Sequence, residues 1–220
     1  MTYFTSDTHA YHKNITRGVS KWKNAKTCRD FDTPEEMTDA LIKNINRAVK
    51  PEDELYHLGD WSFHSKENIS AFRNRINCKR VHLIYGNHDG EIISDRSLHS
   101  LFESVSFYRE IIVQGYKIIL CHYPIVSWNK SHRDSLMLHG HCHGTLENQI
   151  PASMLRRLLD EDRLDIIRSL ANNEPVAGWS PGGKRIDVGV DTHPEFRPYS
   201  FSEVLQIMDT KTFVPTDDHV

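Results

Sequence analysis

The chain has 220 residues, 38% of them hydrophobic and 26% charged, which suits one soluble globular domain with a sizeable core. A formal charge of −3 removes the broad basic footprint that non-specific nucleic-acid or anionic-membrane binding needs, though a local basic patch is compatible with it. The four cysteines form no CxxC pair and no disulfide-framework spacing, so a reduced, cytoplasmic setting is expected.

No run reaches the apolar length of a membrane-spanning helix. The N-terminus lacks the basic and apolar regions of a signal peptide, and a first strand is expected to begin almost at Met1. That strand, Thr2–Ser6, runs directly into Asp7-Thr8-His9. In extended backbone, residues two apart face the same way, so Asp7 and His9 are candidates to chelate one ion. Residues 10–32 read as a polar loop that carries His12, Asn14 and Trp22. This exceeds the usual connection and suggests a binding or lid role, with His12 and Asn14 as candidate substrate contacts.

Thr33-Pro34-Glu35-Glu36 has the pattern of a capping box with proline at the first helical position. The helix it opens carries Met37, Leu41, Ile45 and Val49 on one apolar face, and Pro51 ends it. A second strand, Glu54–Leu58, stops at Gly59-Asp60. Ser65 is placed to cap a helix with Ile69, Phe72 and Ile76 inward. A third strand then delivers Gly86-Asn87-His88-Asp89. This β-α-β-α-β start predicts parallel strands with right-handed crossovers.

The second half changes character. Arg109–Val113 and Tyr116–Cys121, joined through Gln114-Gly115, predict a β-hairpin, with His122 just beyond it. A short strand, Leu136–His139, leads into Gly140-His141-Cys142-His143-Gly144. His141 and His143 repeat the two-apart spacing, which turns Cys142 away as a packed thiol. Residues 151–172 predict a helix or helix pair, 177–184 a Gly/Pro-rich loop, and 186–190 a further strand. Ser200-Phe201-Ser202-Glu203 is placed to cap a closing helix through Met208.

Five clusters thus stand at expected strand ends: Asp7-x-His9, Asp60, Asn87-His88-Asp89, His122 and His141-x-His143. Leaving His88 aside, they offer carboxylate, amide and imidazole donors in a number too large for one ion. A mixed N/O set of this kind suits two divalent cations sharing a carboxylate, rather than a closed thiolate-rich structural zinc site.

In these ordered motifs the chain resembles the calcineurin-like metallophosphoesterase superfamily, as a small single-domain phosphoesterase spanning residues 1–220. The resemblance implies an α/β fold, a four-layer α-β-β-α sandwich of two mixed sheets with a dimetal site at strand ends. Residues 10–32 and 144–184 would be additions to that domain. By position, Asp7, His9, Asp60 and His143 would hold the first metal. Asp60 would bridge to the second, completed by Asn87, His122 and His141. His88 would contact the phosphate and protonate the leaving oxygen, with Asp89 orienting it. One departure is Phe63, which stands where many members carry a second Asp after the bridging one.

The implied activity is hydrolysis of a phosphomonoester, or of a small phosphodiester such as a cyclic nucleotide. Two cations, Mn²⁺ first among Fe, Ni, Co and Zn, would neutralise the phosphate oxygens and lower the pKa of a bridging water, whose hydroxide attacks in line. The expected partner is a small phosphorylated substrate, nucleotides included, with neither membrane nor extended nucleic acid. Two other readings stand beside it: a non-catalytic scaffold of the same fold, and a structural zinc protein built on Cys121-His122 and His139–His143.

Overall fold

A computed structural model describes residues 1–23, 28–63, 65–146 and 184–211. Its framework is two mixed sheets. The first has strand order β4-β3-β2-β1-β9 and the second β5-β6-β7-β8. β1 (Thr2–Thr5), β2 (Glu54–His57), β3 (Arg80–Ile84) and β4 (Ser104–Ser106) are mutually parallel, and β9 (Tyr199–Ser200) joins β1 antiparallel. In the second sheet β5 (Tyr108–Val113) and β6 (Tyr116–Cys121) form the expected hairpin, while β7 (Leu136–His139) and β8 (Arg185–Asp187) continue it in parallel. Gln114 (φ 50°) and Gly115 (φ 89°) turn the hairpin through positive φ, the twist that two-residue hairpin loops favour.

Side-chain alternation divides the core. Tyr3, Leu55, Val81 and Leu83 pack toward the helices with Met37, Leu41, Ile45 and Phe72. Phe4, Tyr56 and Ile84 point the other way and meet Ile118, Leu120, Leu136, Leu138 and Ile186 of the second sheet. Each fully buried side chain of this size contributes about 1.5–3 kcal/mol. Ile119 and Met137, on the far face of the second sheet, pack against Trp128.

Local signals set the helices. In α1 (Pro34–Ala48) the Thr33 hydroxyl accepts the Glu36 N–H at 3.1 Å. The Glu36 carboxylate reaches back to the N–H of Asp32 rather than to that of Thr33. Ser65 caps α2 (Lys66–Asn74) by accepting the Asn68 N–H, and Ile76 is buried just beyond its end. A short helix α3 (Gly90–Ser94) follows β3. Ser200 and Glu203 form a reciprocal capping box at the start of α4 (Phe201–Asp209).

Some expectations need redrawing. The strand expected over 186–190 ends at Asp187, and Gly189 then bridges to Ser6 in parallel register, so the chain crosses to the first sheet beside β1. The 10–32 segment is pinned by Ala10–Ser62 and Thr16–Arg29 bridges. The helix expected over 151–172 and the loop over 177–183 lie outside the described residues. No helix among the described residues is long and apolar enough to cross a membrane.

Candidate metal centre

Beyond their last paired residues β1 and β2 stay zipped: Asp7 N–H donates to Gly59 O, His9 N–H to Asp60 O and Ala10 N–H to Trp61 O. The backbone here is not extended. Asp7 (φ 53°), His9 (φ 46°) and Asp60 (φ 59°) are left-handed, and so are His141 (φ 71°) and His143 (φ 47°). The two-apart pairs therefore converge through alternating turns, which corrects the extended geometry expected for them. Non-glycine residues are strained in this region, and such strain clusters at functional sites. Two glycines make the approach possible. A Cβ at Gly140 would run into Ser6 Oγ and Asp7 Oδ2, and one at Gly86 into Asp60 Oδ1.

Two groups of potential ligand atoms result, Asp7 with His9 and His143, and Asp7 with Asp60 and His122, each set within 4.8 Å. The Asp7 Oδ2 atom accepts from Ser6 Oγ at 2.5 Å and from His141 N–H at 3.0 Å. Its Oδ1 faces His9 Nε2 at 3.9 Å and His143 Nε2 at 3.8 Å. Asp60 Oδ1 accepts the His88 N–H at 2.9 Å, which leaves Oδ2 between His9 Nε2 at 3.5 Å and His122 Nε2 at 3.6 Å. Asp7 is common to both groups, and Asp60, a member of the second, also reaches His9 of the first, which is a position for a shared ligand.

The tautomer of His122 is readable. Its Nδ1 lies 2.7 Å from Leu58 O, a carbonyl that can only accept, so Nδ1 carries the proton and Nε2 presents a lone pair. That lone pair faces Asn87 Oδ1 at 3.0 Å, and His141 Nδ1 lies 2.9 Å from the same oxygen. Neighbouring ligands of one small divalent cation with bonds of ~2.1 Å sit about 3 Å apart. Burial pushes Asp60 up to about 6, and burial with the Arg29 charge holds His9 well below the ordinary imidazole value. The raised Asp60 value, to which the Asp7 charge adds, marks buried carboxylates short of positive charge. The lowered His9 value keeps its imidazole neutral, as a ligand must be, and the residues fit a pair of divalent cations.

Around this cluster lie partners that sequence reasoning missed. His143 Nδ1 is 2.6 Å from Asp191 Oδ2. Both carboxylate oxygens of Asp191 accept from Arg29, through Nε and Nη2 at 2.8 Å each. Arg29 also donates to the carbonyls of Thr8 at 2.7 Å and Asp7 at 2.5 Å. Burial opposes a charged His143, but the hydrogen bond to Asp191 and the Asp7 and Asp191 charges outweigh it and raise its pKa. Asp191 carries no spacing signal, and it reaches the site only because Gly189 pairs with Ser6.

Asp89 is not where it was expected. Its Oδ2 accepts the N–H groups of Gly86 at 2.8 Å and Asp60 at 2.9 Å, and its Oδ1 that of Trp61 at 2.9 Å. A carboxylate spent on three backbone donors ties the β2 and β3 loops together and does not orient the His88 ring. His88 itself is exposed, with its ring 5.4 Å from that of His9. His12 is buried and stacks flat on Phe63, 3.6 Å between centroids. Asn14 is used within its own loop, accepting from Lys21 N–H and Ser20 Oγ. Among the described residues neither ligand group contains a cysteine, and neither Cys121 nor Cys142 is in a disulfide.

Residues 2–155 match the calcineurin-like phosphoesterase superfamily domain, and the chain belongs to that family. It is 33% identical over 149 residues to an uncharacterized protein of Methanocaldococcus jannaschii, covering 68% of this chain and 73% of the relative. It is also 31% identical over 173 residues to the Gene 66 protein of Mycobacterium phage L5, covering 66% and 78%. The same fold occurs in a crystal structure of a protein of unknown function from Aquifex aeolicus, with TM-score 0.52, 23% identity, and coverage of 94% of this chain and 98% of that one.

Proposed function

We propose that the chain is a dimetal-dependent phosphoester hydrolase. The observation that carries the reading is the placement of Asp60 Oδ2 between His9 Nε2 and His122 Nε2, at 3.5 and 3.6 Å, with the exposed His88 beside it. Asp7, His9, Asp60 and His143 would hold one cation, and Asp60, Asn87, His122 and His141 the other. Mn²⁺ is the ion we favour for this mixed N/O set. When bound, the pair would neutralise phosphate charge and make water a better nucleophile.

The protein's own residues perform the remaining work. The His88 N–H bond to Asp60 Oδ1 couples the shared carboxylate to the residue that meets the substrate. Water's oxygen forms the new bond to phosphorus as the ester P–O bond breaks. The departing oxygen takes a proton from the His88 imidazole, a contribution of roughly 10²–10⁴ in rate. The water's surplus proton passes to solvent, from which the His88 ring regains the proton it gave. No residue becomes covalently attached to phosphate.

A screen of Mn²⁺-supplemented protein against phosphomonoesters, linear diesters, and 2′,3′- and 3′,5′-cyclic nucleotides tests the reading. Turnover of one of these classes that is abolished by chelation is expected. Two bound ions with no turnover of any ester would instead support a metal-binding scaffold.

A further inference from the structure

Adjoining the metal centre through Asn87 and His88 lies a cavity of about 340 Å³ lined by Phe63, Asn87, His88, Gly90 and Glu91. The His88 ring stands 5.4 Å from that of His9 and 5.0 Å from that of Phe63, and the Phe63 and His9 rings are 6.2 Å apart. A histidine that protonates a departing oxygen must touch that oxygen. The group leaving with it then falls into the space that His88 shares with Phe63.

The walls define what fits. Phe63 offers a flat apolar ring, and this ring is held in place. It stacks on His12 at 3.6 Å and 5°, and His12 in turn meets Trp22 edge-on at 5.9 Å and 83°. The Phe63 backbone is fixed at both ends, its N–H donating to Ala10 O and its carbonyl accepting from Asn68 Nδ2. Glu91 shares the lining, and among the described residues no Lys or Arg lines the cavity. A carboxylate accepts hydrogen bonds from hydroxyl or amino groups and repels a second phosphate. At 340 Å³ the space is near the lower end for a small-molecule site.

We propose that this cavity seats the leaving group of the ester and selects a nucleoside-like one: a planar ring against Phe63, hydrogen-bond donors toward Glu91, and no further phosphate. The assignment rests on the hydrolase reading. It makes Phe63 a specificity-determining residue of that reaction.

Gly90 supplies a clean test, because a Cβ there meets nothing within 4 Å. Gly90→Leu should crowd the cavity from a residue that is not itself a metal ligand, with the bound-manganese count checking that Asn87 in the same lining is undisturbed. Phe63→Leu keeps the apolar contact and removes the ring, while Phe63→Tyr keeps the ring. In Mn²⁺-loaded protein, kcat/KM is compared for adenosine and glycerol esters carrying the same phosphate group, as both mono- and methyl diesters. Adenosine binding is followed separately by calorimetric titration. Wild type should prefer the adenosine ester and bind adenosine. Phe63→Leu should lower both the preference and the affinity about tenfold, Phe63→Tyr should retain them, and Gly90→Leu should lose them, all with bound manganese and thermal midpoint near wild type. Glu91→Gln should raise kcat/KM for the adenosine ester bearing an extra phosphate. Equal hydrolysis of adenosine and glycerol esters would overturn the cavity assignment and leave the hydrolase reading intact. Adenosine binding that depends on Phe63, with no ester hydrolysed, would overturn the leaving-group role and the hydrolase reading together.

Discussion

His143 Nδ1 lies 2.6 Å from Asp191 Oδ2, joining a residue of the last histidine motif to one 48 positions later. The carboxylate accepts the hydrogen bond from Nδ1–H and so turns the His143 Nε2 lone pair toward Asp7. It is held in turn by the two Arg29 bonds, and Arg29 grips the carbonyls of Asp7 and Thr8. Carboxylates that fix a ligand imidazole contribute substantially to metal affinity. Asp191→Asn should weaken Mn²⁺ binding by roughly 10–100-fold, measured by titration calorimetry. Arg29→Lys should also weaken it, since a point charge cannot make the two-pronged contact. Unchanged affinity in both variants would show that the triad only supports the fold.

Asp89→Asn tests the redrawn role of that residue. An amide at this position keeps one acceptor oxygen for the three backbone N–H groups now bound by two. Loss of about 1–3 kcal/mol in denaturant unfolding is expected, with weaker metal loading as the Asp60 loop loosens. If thermal stability and metal content stayed at wild-type values while only turnover fell, Asp89 would act on His88 as first expected.

Acid stability has an identifiable contributor far from the site. Hydrogen bonding to Arg197 outweighs burial and, with the Ser200 contacts, holds Glu203 down to about 2. A depressed carboxyl contributes stability that is fully present above its unfolded value near 4.5 and is lost as pH falls toward 2. Glu203→Gln should cost about 2 kcal/mol at pH 7 and flatten the decline of stability between those pH values. An unchanged acid limb in the variant would exclude this pair as its source.

His88→Asn separates proton donation from coordination. The variant should keep its manganese and lose far more turnover on esters with alkoxide leaving groups than on p-nitrophenyl esters, which need little protonation. Equal loss on both would leave His88 as a phosphate-binding group. Loss of an ion would make it a ligand.

What could be read in the sequence was mostly local. Thr33, Ser65 and Ser200 announce helix starts because a hydroxyl caps N–H groups two or three residues away, and each does so here. The strands ending at Asp7, Asp60, Asn87 and His122 stood out because buried parallel strands are apolar runs. Short strands such as Ser104–Ser106 and Tyr199–Ser200 carry no such run. The ligand residues were legible as chemistry but not as geometry, since positive φ at Asp7, His9, His141 and His143 is imposed by neighbours rather than by the side chains themselves. Arg29 and Asp191 meet across 162 positions, and nothing near either residue signals the other.

The most direct test of a shared metal centre is electron paramagnetic resonance of the protein titrated with Mn²⁺. With Asp60 joining two sites, the spectrum at two equivalents should be that of an exchange-coupled manganese pair, and Asp60→Ala should abolish the coupling. Saturation at one equivalent, or two ions giving only the spectrum of isolated Mn²⁺, would contradict the account.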